Sequence, residues 1–77
     1  MASERIDRDD PEPFYLQLAA ILRERIRRGE LTGRLPSWTD LANDYEVGDS
    51  TVRHAVAILR DEGLVVTRAA KGTYVAR

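Results

Sequence analysis

The sequence predicts a small, mainly α domain in which three helices are followed by a β-hairpin. Three observations carry that expectation. Apolar residues recur at helical spacing in three stretches, glycine or proline breakers separate the stretches, and the pattern changes to short β-branched runs after Gly63. The chain of 77 residues has room for one domain. A domain this small buries only ~60% of the surface its unfolded chain exposes, which leaves little volume for a deep substrate pocket.

An acidic, proline-containing leader comes first. Residues 1–13 hold five carboxylates against two arginines and include Pro11 and Pro13. A flexible acidic arm with few contacts is therefore expected over residues 1–12, ahead of a folded module over 13–77. Within residues 14–28, Tyr15, Leu18, Ala19, Leu22 and Ile26 fall on one helical stripe. Pro13 suits the first turn, and Arg27 and Arg28 complement the dipole at the other end. Gly29 supplies a left-handed cap, and residues 30–36 form a connector broken by Gly33 and Pro36.

Ser37-Trp38-Thr39-Asp40 has the form of a helix start, with Ser37 as the cap. A short helix over about 38–45 turns Leu41, Ala42 and Tyr45 inward. Glu46-Val47-Gly48 makes a tight turn. The third helix starts at Asp49 or Ser50 and ends near Glu62, with Val52, Ala55, Val56 and Leu59 as its buried face. Residues 64–68 and 73–75 are strand-like, and Ala69, Ala70, Lys71 and Gly72 make a hairpin-sized loop. An isolated hairpin is marginal in water, so this one is expected to pack on the helices.

Composition excludes several classes of protein. There is no cysteine, hence no disulfide framework and no thiolate zinc site, which fits a reducing cytoplasm. One histidine cannot build a zinc site, and Asp9-Asp10 lies among prolines without a supporting shell, so no metal or other cofactor is expected. No apolar run approaches the ~20 residues of a membrane span. Neither a nucleophile elbow nor a phosphate loop is present, which argues against an enzyme. The formal net charge is −1. Because the leader is acidic, the remainder is mildly basic, which permits a nucleic-acid partner without demanding one.

Two helices joined by a tight turn make a helix-turn-helix. Opposite the buried stripe of the second one lie Ser50, Arg53, His54 and Ala57, with no bulky apolar residue among them. A helix that enters the major groove needs this pattern near its N-terminus. Short hydroxyls let the backbone approach phosphates, and an arginine at position 53 can pair bidentately with a guanine edge. Lys71 at the hairpin tip is suited to the phosphate backbone or a minor groove. Trp38, in the first turn of the short helix, is expected to pack against a neighbour.

Several segments together resemble the N-terminal domain of GntR-type (gluconate-repressor-like) bacterial regulators. They are Pro13-Phe14-Tyr15-Leu16-Gln17-Leu18-Ala19, Leu35-Pro36-Ser37, Ser50-Thr51-Val52-Arg53 with Ala55, Glu62-Gly63-Leu64 and Gly72-Thr73-Tyr74-Val75, in the family's order and spacing. The resemblance covers about residues 13–76. It implies a three-helix winged helix-turn-helix whose partner is double-stranded DNA, bound as a dimer on a palindromic operator, in transcriptional control and most often as a repressor. It also implies that Ser50, Thr51 and Arg53 are recognition-helix contacts and that Lys71 and Gly72 are the wing tip. Ser37, Thr39, Asp49 and His54 complete the expected DNA-facing set. The sequence departs from the family pattern in four places: Trp38-Thr39 replaces the usual Glu-Arg, Gly48 the capping hydroxyl residue, Asp49 a basic or polar residue, and Ala70 the first wing glycine. Family members carry a C-terminal effector-binding and dimerising domain; an excised domain and a short regulator both remain open readings. The 77-residue chain alone is expected to be largely monomeric. A winged helix used for protein contact is the rival function, favoured by the near-neutral charge.

Overall fold

The computed structural model describes residues 5–76. Its elements run α1 (Phe14–Arg27), α2 (Trp38–Tyr45), α3 (Asp49–Asp61), β1 (Val65–Arg68) and β2 (Gly72–Val75). These follow the expected order, with ends shifted by a residue or so. The architecture is a three-helix winged helix-turn-helix.

Local chemistry explains the helix ends. Ser37 Oγ accepts from the Asp40 N–H at 3.1 Å, which satisfies one orphan donor of α2. Pro13 sits one position before the expected first turn, at the N-cap of α1. After α1, Gly29 takes φ 78°, a left-handed conformation that L side chains rarely adopt, and the chain turns away. The α2–α3 turn passes through Glu46 at φ 56° and reaches α3 at Gly48.

Leu18, Leu22, Leu41, Val52, Ala55 and Leu59 are fully buried, and Ala19, Val56 and Val65 nearly so. They form one core in which α3 packs on α1, α2 and β1. Two details differ from the expected α1 stripe. Ile21 is buried although it lies off the stripe, and Tyr15 is only half-buried. Both follow from neighbours that the helical period does not reveal: arm residues beside Ile21, and a ring from α3 beside Tyr15.

The arm is the main correction. Few contacts are expected for residues 1–12; residues 1–4 lie outside the described residues, and the segment after them is docked. The Gln17 side chain, buried on α1, accepts from the Asp7 N–H at 2.7 Å and donates to the Asp7 and Glu12 carbonyls at 3.0 and 2.8 Å. Ile6 packs against the core, and the Arg8 guanidinium donates to the Glu46 carbonyl in the α2–α3 turn. The arm's composition is poor in apolar groups, but the buried Gln17 amide receives its backbone groups, a partner that composition does not reveal.

The hairpin is antiparallel, pairing Val65 with Val75 and Arg68 with Gly72. The connector contributes to it as well. Arg34 bridges to Tyr74, the Leu35 N–H donates to the Thr73 carbonyl at 2.8 Å, and the Val75 N–H donates to the Gly33 carbonyl at 2.7 Å. The free edge of β2 is thereby covered, and Leu35 is carried into the core. Ala70 holds φ 63° at the turn, where the family's glycine would be unstrained.

Candidate nucleic-acid interface

The turn after α2 fixes α3 so that its Val52/Val56/Leu59 face is sealed in the core and the opposite face is left in solvent. Ser50, Arg53 and His54 are exposed on that outer side, while Thr51 is half-buried on a flank. Gly48 and Asp49 begin the helix with no side-chain cap, so its first N–H groups point outward unsatisfied by a side chain. A helix N-terminus in this state favours an anion.

One open groove lies between the starts of α2 and α3 and the hairpin. Among its lining residues are Ser37, Thr39, Asp49, Arg53 and Gly72 from the expected set, together with Arg34, Trp38 and Arg68. Three arginines therefore face one aspartate there, although the whole chain is slightly acidic. Local charge distribution, not net charge, decides what a groove attracts. Ser50, Thr51, His54 and Lys71 do not line this groove. Lys71 is exposed at the hairpin turn beside Val66 and Tyr74, and its carbonyl accepts from the Tyr74 hydroxyl at 3.3 Å.

Aromatic rings hold two of the exposed α3 side chains. The Arg53 guanidinium carbon lies 5.6 Å from the centre of the Trp38 ring, over its face. His54 stacks on Tyr15 with ring centres 3.7 Å apart and planes 9° from parallel. Thus α2 steadies one flank of α3 and α1 the other. Gly72 has a backbone reason to be glycine: its φ is 108°, which L side chains rarely adopt, and a Cβ there would also press on the flexible Arg34 side chain, with Nε at 3.0 Å.

Reasoning from sequence missed Arg34 and Arg68 as members of the groove. Arg34 stands in a segment that reads as connector, and Arg68 ends a strand whose exposed face is ambiguous from its sequence alone. The alternation of exposed Arg34 with buried Leu35 is the one available clue to the first.

This combination of a sealed helix-turn-helix, an open α3 N-terminus and an adjoining hairpin defines a winged-helix DNA-binding domain. Residues 14–75 match the family model described as bacterial regulatory proteins, gntR family. The chain belongs to that family. Over 74 residues it is 34% identical to the HTH-type transcriptional repressor NagR of Bacillus subtilis, covering 94% of this chain and 30% of NagR. Its fold superimposes on YtrA from Sulfolobus acidocaldarius, a GntR-family transcription factor, with TM-score 0.86, 35% identity, and coverage of 95% and 79% of the two chains. AraR(DBD) in complex with operator ORX1 is similar too, at TM-score 0.79 and 27% identity over 84% of this chain and 81% of that one. The chain spans about a third or less of the length of the curated relatives it matches.

Proposed function

We propose that this module recognises a specific double-stranded DNA sequence, with the N-terminal half of α3 in the major groove and the β1–β2 hairpin against the backbone or the adjoining minor groove. The observation that carries the reading is the groove lined by Arg34, Arg53 and Arg68 beside the exposed start of α3. Its charge suits phosphates. Arg53 reads a guanine edge through O6 and N7. Ser50, Thr51 and the free N–H groups of α3 hold phosphate, and Ser37, Thr39, Asp49 and His54 border the contact. Lys71 and Gly72 form the wing tip, where a flexible ammonium acts as a point charge on the backbone.

One module contacts one half-site, so a palindromic operator binds two copies, with half-site centres about 34–36 Å apart. The 77-residue chain by itself is, on this reading, largely monomeric, with a dimer possible on DNA, and binds a half-site weakly. Repression is the direction of regulation we assign, by kinship with NagR, and the cytoplasm is the compartment; the chain is a regulator and not a catalyst.

Selection of bound duplexes from a random pool tests the reading, followed by titration against the selected and a scrambled site at two salt concentrations. We expect a recovered motif containing guanine and a preference that survives added salt. Equal binding to both duplexes, vanishing with salt, would leave only nonspecific phosphate attraction and defeat the proposal.

A further inference from the structure

Arg53 is the one arginine on the outer face of the first turns of α3, and its surroundings are unusual. A carboxylate stands four residues earlier on the same helix, at Asp49, within reach for an i,i+4 ion pair. The structure does not make that pair. Among the described residues Arg53 has neither an ion pair nor a hydrogen bond, and its guanidinium lies over the Trp38 ring instead. Trp38 is 39% exposed, one of two large apolar side chains left in solvent among the described residues. Its ring lines the same groove as Arg53, Arg34 and Arg68. An indole in that position does little for the core.

The two possible partners of Arg53 have opposite consequences. A carboxylate takes guanidinium N–H donors into hydrogen bonds and cancels the charge. An aromatic face attracts the cation through the ring quadrupole and requires no hydrogen-bond donor. The five N–H donors of the fork therefore stay available for an outside acceptor, while the side chain loses rotamer freedom before binding. That is the state a guanine-reading arginine needs, since a pre-ordered group gives up less entropy on contact.

We propose that Trp38 is a positioning residue for sequence recognition: its indole face holds Arg53 away from Asp49 and presents the guanidinium fork, with its donors free, to a guanine edge. This rests on the assignment of Arg53 to base contact. It gives a physical meaning to the tryptophan that stands where the family pattern has glutamate.

The test is a mutant cycle on the full 77-residue chain. Wild type, W38F, W38A, R53A and W38A/R53A are titrated against the selected duplex and against the same duplex with 7-deazaguanine at the read position, which removes N7. Circular dichroism and thermal unfolding establish that each variant is folded. W38A is expected to reduce the preference for guanine over 7-deazaguanine by about two- to fivefold, the size of an exposed cation–π contact. W38F should retain part of that preference, and W38A should have no further effect once Arg53 is gone. If W38A weakens both duplexes alike, and equally in the R53A background, Trp38 touches DNA or supports the fold on its own account and the proposal fails. If R53A itself leaves the guanine preference intact, the base-contact assignment fails and the positioning role falls with it. R53A alone tests the base-contact assignment and the double mutant tests the positioning role, so the two failures are distinguished.

Discussion

The two faces of α3 are built from the same thirteen residues and are held by different forces. On the inner face, Val52, Ala55 and Leu59 are completely buried and Val56 nearly so, clamped between α1, α2 and β1. On the outer face no side chain is buried, and order comes from ring contacts, Trp38 to Arg53 and Tyr15 to His54. Burial of apolar area is worth kilocalories per side chain, whereas an exposed ring contact is worth about 0.5–1 kcal/mol. The helix thus separates its tasks: the inner face maintains the fold, and the outer face, where we propose DNA contact, is ordered by contacts that add little to stability. Mutations on one face should leave the other's property untouched.

The largest expected effect is on the inner face. Leu59→Ala should lower folding stability by about 2–5 kcal/mol, a large share of the ~5–15 kcal/mol typical of a whole domain. Chemical denaturation measures it, and a loss under about 1 kcal/mol would contradict the sealed core. DNA preference in the folded fraction should not change.

On the outer face the converse holds. Arg53→Ala should cost about 1–3 kcal/mol in binding to the selected site and relax the preference at one base pair. Its melting temperature should match wild type. Unaltered binding by a folded Arg53→Ala would mean that the recognition face is misassigned.

A third variant asks whether a residue on neither face of α3 belongs with the core. Gln17→Ala removes three hydrogen bonds to the arm. Because the released arm groups regain water, the loss should be about 0.5–1.5 kcal/mol. Hydrogen exchange at the Asp7 amide should speed up sharply, and unchanged exchange there would show that Gln17 does not hold the arm.

Lys71→Ala sharpens the ligand side. A phosphate contact at the wing tip predicts weaker binding to all sequences alike and a salt slope reduced by about one unit. A change in sequence preference instead would make Lys71 a base reader.

The smallest effect concerns the end of α3. Arg23 donates to both Glu62 oxygens, at 2.8 and 2.7 Å, tying α1 to α3. That hydrogen bonding holds the Glu62 carboxyl below its ordinary range. A carboxylate depressed in this way adds stability at neutral pH and loses it as pH falls through the lowered value. Both partners are substantially exposed, so solvent screens the pair and the gain is slight. Glu62→Gln should flatten a small acid-range slope in stability versus pH and leave neutral-pH DNA binding as it was. An unaltered slope would show the pair to be energetically silent.

Much of this protein is written locally. Helical spacing in 14–28 and 49–62, the Ser37 cap, Gly29 and the β-branched runs are each decided by residues within a turn or two of one another, so the three helices, the hairpin and Leu22, Ala42, Val52, Val56 and Leu59 of the core are legible in order. The pattern of polar residues opposite that stripe likewise marks the outer face of α3. Other features required the tertiary structure, because they join elements whose relative placement no period encodes. Gln17 is a polar residue in a helix until α1 brings its amide within reach of the Asp7 and Glu12 backbone. Arg34 belongs to a connector until that segment covers the edge of β2. Trp38 and Arg53 are separate surface residues until the α2–α3 turn lays one over the other, because a cation–π contact depends on where two helices cross and not on what either helix spells.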